Sequence, residues 1–180
     1  MLFAPDTEDT LEFLVDLVNT APGASRSGTD ELSTPEQLTA LVDRHGYSGR
    51  FDRDAAELQS VVAARSLFRS IWDMSLDQLV DATNDMLRTA SAVPFLVKHD
   101  AFDWHLHATP ADAPLAERMR VEVALALADV VRSGVTGRMR VCAAEDCDGV
   151  LVDFSRNGSK QYCSVRCGNR MNQLAYRSRS

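Results

Sequence analysis

The chain has 180 residues, of which 45% are hydrophobic and 25% are charged, and its formal net charge is −7. These proportions are typical of a globular protein and argue against a disordered chain. The most apolar stretch, 121–131, is interrupted by Glu122 and Asp129, so we expect no membrane-spanning helix and no membrane partner. The amino-terminal segment has no basic residue before its acidic ones and no apolar core, which predicts a cytoplasmic protein without a signal peptide.

The first 136 residues have the periodicity of a mostly helical domain. Apolar residues recur at helical spacing in five segments, which we predict to be helices: 10–20, 35–46, 52–74, a segment from Ser75 onward, and 115–132. Thr34, which precedes a proline, and Ser75 are predicted to be N-caps. The residues expected to face inward from the last two helices are Leu76, Leu79, Val80, Leu87, Val121, Leu125, Ala128 and Val131.

A short hairpin is predicted between the fourth and fifth helices. Segments 95–97 and 104–107 resemble strands on either side of a turn that contains Asp100 and Asp103. His105 and His107 alternate and therefore share a face. We interpret them as a solvated strand face, with a metal-binding pair as the alternative.

Two polar residues interrupt the apolar stripe of the first helix. Asp16 and Asn19 either bridge groups inside the body or line a ligand pocket, because buried polar groups need hydrogen-bond partners. The pocket alternative would give this domain a small-molecule or protein partner.

Positive charge and cysteine are both concentrated at the carboxyl end. Residues 1–136 carry 11 basic and 22 acidic residues, whereas residues 137–180 carry 8 and 4. All four cysteines lie after residue 141, and Gly134 and Gly137 mark the boundary. An acidic body (1–136) therefore carries a small basic tail (137–180). This asymmetry suggests that the tail contacts a polyanion, with a tail that is basic by chance as the alternative.

The four cysteines form two close pairs, Cys142 with Cys147 and Cys163 with Cys167. Each pair fits one tight turn, as a tetrahedral site of four thiolates requires, and this indicates one zinc ion. Four protein thiolates close the coordination shell, so the ion would be structural rather than catalytic. Two disulfides, which need an oxidising compartment, and an iron–sulfur cluster, whose usual spacing differs, are the alternatives.

The residues between and after the pairs predict a hairpin followed by a helix. Segment 149–154 is typical of a strand, Asn157-Gly158 of a hairpin turn, and segment 159–162 can return antiparallel to bring Cys163 beside the first pair. Ser164 suits a helix N-cap, which places Cys167 on the first turn. The predicted architecture is mainly α, with a helical body that contains a short hairpin and a treble-clef-like zinc finger.

The last helix is predicted to present a polar face. At 100° of rotation per residue, the arginines of this helix lie on one side, with its asparagine and glutamine beside them. The opposite side carries four residues that could pack on the finger or the body: Met171, Leu174, Ala175 and Ser178. Arginine, asparagine and glutamine donate to phosphates and base edges. The predicted nucleic-acid-binding residues are Arg156, Lys160, Arg166, Asn169, Arg170, Gln173, Arg177 and Arg179. The alternative is a solvated helix face.

The carboxyl end resembles a known family. Cys167-Gly168-Asn169-Arg170 is the signature of the CGNR zinc finger family, and segments 153–158, 162–164 and 175–179 also resemble it. Segments 13–20 and 30–38 resemble the ABATE domain that usually precedes this finger. The resemblance implies zinc bound by the four cysteines and a role in bacterial transcription, often described as stress-related, with nucleic-acid binding suggested for the family.

The sequence departs from the family pattern at three places, which lower the positive charge of the finger or shorten the spacing of its second cysteine pair. Asn172 stands where many members have lysine, Lys160-Gln161 where many have two basic residues, and Cys163 and Cys167 are one residue closer than in many members. These departures weaken the inference of nucleic-acid binding and leave the inference of a metal unchanged.

We therefore expect a non-enzymatic, zinc-binding transcription regulator that contacts nucleic acid, DNA rather than RNA, through its basic carboxyl-terminal helix. No nucleophile, base and oxyanion donors assemble from the sequence. About three to five phosphate contacts bind weakly, so a homodimer or a second surface would supply specificity. The alternative function is a protein-interaction or dimerisation module with a purely structural zinc ion.

Overall fold

A computed structural model describes residues 3–98 and 103–177 of the chain. These residues are mainly α-helical, with six helices and two antiparallel two-stranded sheets. The helices are α1 (Pro5–Val18), α2 (Pro35–Arg44), α3 (Ala55–Ser70), α4 (Leu76–Thr89), α5 (Leu115–Arg132) and α6 (Val165–Arg177). The strands are β1 (Phe95–Val97), β2 (His105–His107), β3 (Met139–Val141) and β4 (Val150–Val152). None of the helices in the described ranges has the length and apolarity of a membrane span.

The predicted helix caps are confirmed. Thr34 accepts a hydrogen bond from the Gln37 amide at 3.3 Å, and the Gln37 side chain accepts one from the Thr34 amide at 3.1 Å. Ser75 and Gln78 form the same reciprocal arrangement at the start of α4. These capping boxes satisfy amides that have no partner within the helix. The first helix begins at Pro5 rather than at residue 10. The third helix begins later than predicted, because Asp54 is its N-cap, and ends at Ser70, where a short 3-10 turn follows.

The core of the body lies where α5 packs against α1, α3 and α4. Its largest fully buried side chains include Phe13, Phe68, Met119 and Leu127. Burying each such side chain stabilises the fold by about 1.5–3 kcal/mol.

Four side chains predicted to face inward lie outside the core, and one of them is Val80, which is half-buried. Leu76 is 54% exposed, because it stands at the first position of α4, on the solvent side. Leu125 and Ala128 are only half-buried, because α5 turns Ala124 and Leu127 into the core instead.

The loop between α1 and α2 is held by a buried arginine. Arg65 on α3 is 7% exposed and donates to both carboxylate oxygens of Asp30 at 2.7 Å and to the Thr20 hydroxyl at 2.8 Å. The hydrogen bonds from Arg65 hold the pKa of Asp30 below its ordinary value. This clamp fixes the loop on which the carboxyl-terminal region rests.

The hairpin of β1 and β2 is confirmed. Phe95 pairs with His107 and Val97 with His105 in an antiparallel register. The second strand begins at His105 rather than at residue 104 as predicted. Asp103 forms an ion pair with Lys98 at 2.6 Å, whereas Asp100 lies outside the described residues.

The second hairpin differs from the prediction. Strand β4 pairs with β3, which precedes the first cysteine pair, and not with segment 159–162. Segment 159–162 forms no strand, and its amide at Lys160 donates to the Asp153 carboxylate at 2.8 Å. The prediction failed because the backbone of this segment bonds elsewhere: the Lys160 amide donates to Asp153, and the Gln161 carbonyl accepts from the Ala143 amide.

Candidate metal centre

The four cysteine sulfurs converge on one point, as predicted. All four Sγ atoms lie within 4.8 Å of one another. The Cys147–Cys163 distance is 3.6 Å, and the Cys163–Cys167 and Cys147–Cys167 distances are 3.7 Å. A tetrahedron with metal–sulfur bonds of about 2.3 Å has edges of about 3.8 Å, so the spacing fits a single zinc ion.

Two tight backbone turns place the ligands. Cys142 and Cys147 lie in the connection between β3 and β4, and Cys163 and Cys167 flank the start of α6. The Cys167 amide donates to the Ser164 hydroxyl at 3.3 Å, which confirms the predicted N-cap. Gly149 passes so close that a Cβ there would lie 2.9 Å from the Cys163 sulfur, so this position requires glycine.

The thiolate form of the centre needs a cation to stabilise it. Burial raises the pKa of the Cys147 and Cys163 thiols above the ordinary value. Burial also opposes ionisation of Cys167, but hydrogen bonds, first that of the Ser164 hydroxyl, bring its pKa below the ordinary value. Four thiolates this close repel one another, so a dication must compensate their charge.

Backbone donors support the thiolate form. The amide of Gly149 points at the Cys147 sulfur and the amide of Cys163 at the Cys142 sulfur, each at 3.4 Å. The four cysteines are free thiols, and the sulfur–sulfur distances given above exceed the disulfide bond length of about 2.05 Å. The space between the sulfurs suits one ion rather than a cluster, so this is a closed, structural site for one zinc ion.

Two of the predicted nucleic-acid-binding arginines have partners within the protein. Arg166 donates to the backbone carbonyls of Ser25, at 3.2 Å, and of Arg26 in the body. Arg170 pairs with the Asp146 carboxylate at 2.6 Å and points toward the Cys167 sulfur at 3.8 Å. Arg166 thus holds the start of α6 against the body, and Arg170 holds it against the loop that contains the first cysteine pair.

The other predicted residues lie on the surface of the described chain. Those that are exposed are Arg156, Lys160, Asn169, Gln173 and Arg177, whereas Arg179 lies outside the described residues. Met171 packs against the cysteine cluster as predicted.

The prediction that Leu174 and Ala175 pack inward is wrong, since both are exposed, and Ser178 is outside the described residues. All residues of segment 172–177 are exposed, because α6 extends away from the finger after Met171.

Hydrogen bonds from side chains of the body join it to strand β4 of the finger, and the sequence indicated only one of these side chains. The Asn19 side chain accepts from the Val150 amide at 2.8 Å and donates to the Val150 carbonyl at 2.9 Å. Trp72 donates to the Leu151 carbonyl at 3.2 Å. The Asn19 side chain thus completes the edge of β4 that faces away from β3, whereas Leu151 lies opposite Arg140 and its carbonyl is on the side of β3. The position of Asn19 in an apolar stripe indicated a buried bridge, but no sequence signal marked Trp72.

Asp153 is a structural residue that sequence reasoning missed. Its carboxylate is fully buried and accepts hydrogen bonds from the amides of Ser155 and Lys160. The sequence feature that could have indicated this role is the position of Asp153 at the end of an apolar strand, before Asn157-Gly158.

The Asp16 carboxylate accepts a hydrogen bond from His45 at 3.0 Å, and this hydrogen bond lowers the pKa of the Asp16 carboxyl.

Comparison with protein families agrees with this geometry. Residues 138–180 match the family model of the CGNR zinc finger, so the class of protein is a zinc-finger protein. Residues 11–134 match the ABATE model, described as "putative stress-induced transcription regulator". The chain belongs to the ABATE family and carries a CGNR zinc finger at its carboxyl end. No curated protein matches the chain.

Proposed function

We propose that this protein is a cytoplasmic, non-enzymatic transcription regulator whose zinc finger contacts DNA through exposed side chains of α6 and of the loop before it. The observation that carries the proposal is the second half of α6. Every residue of segment 172–177 is exposed, although the start of the helix is held by the zinc ligand Cys167. A rigidly held helix that extends into solvent is suited to contact a larger partner.

The direction of α6 is set at its first turns. Arg166 holds it to the body loop, and Arg170 holds it to Asp146 on the finger. Asn169, Gln173 and Arg177 follow one another at four-residue intervals, so they lie on one side of the helix. This side offers amide groups for base edges and a guanidinium for phosphate.

The charge distribution favours a polyanion at this end of the molecule. Arg156 and Lys160 are exposed in the loop before α6, and Arg177 is exposed at its end. The acidic body would repel the same polyanion and orient the approach of the finger. About three phosphate contacts give weak, salt-sensitive binding, so a second copy or a second surface would supply specificity.

The test is a titration of labelled duplex DNA with the full, zinc-loaded chain at salt concentrations between about 50 and 200 mM. Fluorescence anisotropy should show affinity that falls with salt, with a logarithmic slope of about −2.7 for three phosphate contacts. The triple variant Arg156→Ala, Lys160→Ala, Arg177→Ala should abolish this slope.

A matched control removes the same charge from the body. Arg44→Ala, Arg88→Ala and Lys98→Ala change three basic side chains that are 66%, 68% and 55% exposed. DNA affinity in this control should stay close to that of the wild type. No affinity, affinity indifferent to salt, or equal losses in both triple variants would contradict the proposal. A duplex RNA of the same sequence tests the preference for DNA.

A second candidate function is self-association or binding of a protein partner through α6. Leu174 and Tyr176 are 51% and 72% exposed in the part of α6 that extends from the finger, where they could contact a partner. Under this hypothesis the chain forms dimers in light scattering, Leu174→Ser reduces the dimer fraction, and duplex DNA is not bound.

A further inference from the structure

A cavity of about 310 Å³ lies in the body, away from the finger. It is bounded by α1, by the β1–β2 hairpin and by α5, and its lining includes Asp6, Asp9, His105, His107 and Asp129. Neither the zinc centre nor the basic end of the molecule uses these residues.

The two histidines of β2 converge inside this cavity. Their positions alternate along the strand, so both rings lie on one face of the hairpin. The Nε2 atoms of His105 and His107 are 3.1 Å apart. Both residues are half-buried.

A backbone carbonyl sets the tautomer of one ring. His105 Nδ1 lies 2.8 Å from the Asp103 carbonyl oxygen. Because a carbonyl oxygen only accepts hydrogen bonds, Nδ1 carries the proton, and the lone pair of the neutral ring is on Nε2. Ligating histidines are oriented in this way in metal sites, where the second nitrogen donates to a carbonyl or carboxylate.

The spacing of the two nitrogens fits one coordination sphere. Metal–nitrogen bonds of about 2.0–2.1 Å place two adjacent ligand atoms about 2.9 Å apart at a right angle and about 3.3 Å apart in a tetrahedron. The observed 3.1 Å separation falls between these values. A metal ion would replace the proton that two nitrogens at this distance otherwise share.

The surrounding charge favours a cation, and the ligand type selects its class. Asp6, Asp9, Glu122 and Asp129 line the same cavity and outnumber its one arginine, Arg132, so the field in the cavity attracts positive charge. Imidazole nitrogens suit zinc, nickel and copper, whereas magnesium and calcium prefer oxygen ligands.

We propose that His105 and His107 form a second metal site, which binds one divalent transition metal ion through their Nε2 atoms. Among the described residues no carboxylate lies close enough to the two histidines to be a third ligand, so water or a small ligand in the cavity completes the shell. The site does not depend on the proposed contact with DNA.

The test uses the full chain with its finger already loaded with zinc. Titration with Ni²⁺ in a calorimeter should show one further equivalent bound. His105→Gln and His107→Gln should each weaken this binding by about 100-fold or more, since loss of even an outer-shell partner costs about 10–100-fold. His45→Gln removes another histidine that lines the cavity and should retain the binding.

A spectroscopic measurement on the unaltered chain keeps the test independent of variant folding. Cu²⁺ added in one equivalent should give an electron paramagnetic resonance spectrum with splitting from two nitrogen ligands. No further equivalent of Ni²⁺, binding that survives in both glutamine variants, or a Cu²⁺ spectrum dominated by sulfur would overturn the proposal. Circular dichroism and zinc content confirm that each variant remains folded.

Discussion

The body and the finger are stabilised by different means. The body buries large apolar side chains such as Leu14, Phe68 and Leu127 in one core. The buried cluster of the finger consists of three cysteines and Ala144, with Tyr162, Cys163 and Met171 packed against it. Because so little apolar surface is available, the finger depends on its metal ion, as very small domains generally do.

The finger is nevertheless not an independent appendage. Val150 and Val152 of β4 belong to the core of the body, Asn19 completes the free edge of that strand, and Trp72 donates to the Leu151 carbonyl. The sharp change of charge along the sequence therefore does not coincide with a break in packing. We therefore expect zinc binding to fold the finger, and folding of the finger to complete the core of the body.

The largest expected effect tests this dependence directly. Cys147→Ser should abolish zinc binding and unfold the finger, because structural zinc contributes on the order of 10 kcal/mol to folding. The helical signal of the body should persist, but its free energy of unfolding should fall by roughly 3 kcal/mol, since Val150 and Val152 leave the core. Zinc content and thermal unfolding by circular dichroism measure both effects, with Arg156→Ala as the control. An unchanged zinc content would show that the site is wrongly assigned.

The next largest effect concerns the buried carboxylate of the finger. Asp153→Ala leaves the amides of Ser155 and Lys160 without their acceptor, so we expect a loss of about 3–5 kcal/mol in urea unfolding. Asp153→Asn keeps one acceptor oxygen and should lose less. If both variants are as stable as the wild type, the segment after β4 is held by other contacts.

The same carboxylate predicts a pH dependence. Burial opposes ionisation of Asp153, but hydrogen bonds from Ser155 and Lys160 and the charge of Arg138 bring its pKa below the ordinary value. A lowered pKa in the folded state means that the stabilisation is fully present at neutral pH. It is lost as the pH falls below about 4, toward the pKa of the folded state. Asp153→Ala should lack this part of the acid destabilisation.

A smaller effect tests the joint between the two regions. Asn19→Ala removes both hydrogen bonds to the backbone of Val150, and we expect a loss of about 2–3 kcal/mol in urea unfolding. Asn19→Asp keeps the acceptor for the Val150 amide but places a carboxylate oxygen against the Val150 carbonyl oxygen, and the two repel. We therefore expect it to lower the free energy of unfolding by at least as much as Asn19→Ala. Asn84→Ala, at an exposed position on α4, is the control. A finger that moved independently of the body would leave all three variants equally stable.

The smallest effect concerns the contact between α6 and the body loop. Arg166→Ala loses hydrogen bonds to the Ser25 and Arg26 carbonyls at a largely exposed site, so we expect a loss of about 1 kcal/mol. Amide hydrogen exchange should increase in segment 20–33, with zinc content unchanged. Arg177→Ala should leave this exchange unaltered. Equal exchange in the two variants would show that Arg166 does not hold the loop.

Local features of the fold were predictable from the sequence. The caps at Thr34 and Ser75 and the bounds of α5 follow from side chains within one or two turns of each helix end. The zinc ligands were predictable because thiolate chemistry and close spacing point to one ion. The pairing of β4 with β3 was not predictable, because β3 and segment 159–162 are both short. The contacts that hold β4 in place come from the body, outside the finger.

The sequence by itself determined that the helices are present, the caps at Thr34 and Ser75 and the four-cysteine metal site, since each depends on hydrogen bonds or ligands close together along the chain. Only the tertiary structure decided that β3 rather than segment 159–162 pairs with β4, and that Arg166 and Arg170 bind protein groups. It also decided that two histidines meet in a cavity. The physical reason is distance along the chain. Asn19 and Val150, for example, are 131 residues apart and meet only when the body and the finger pack together.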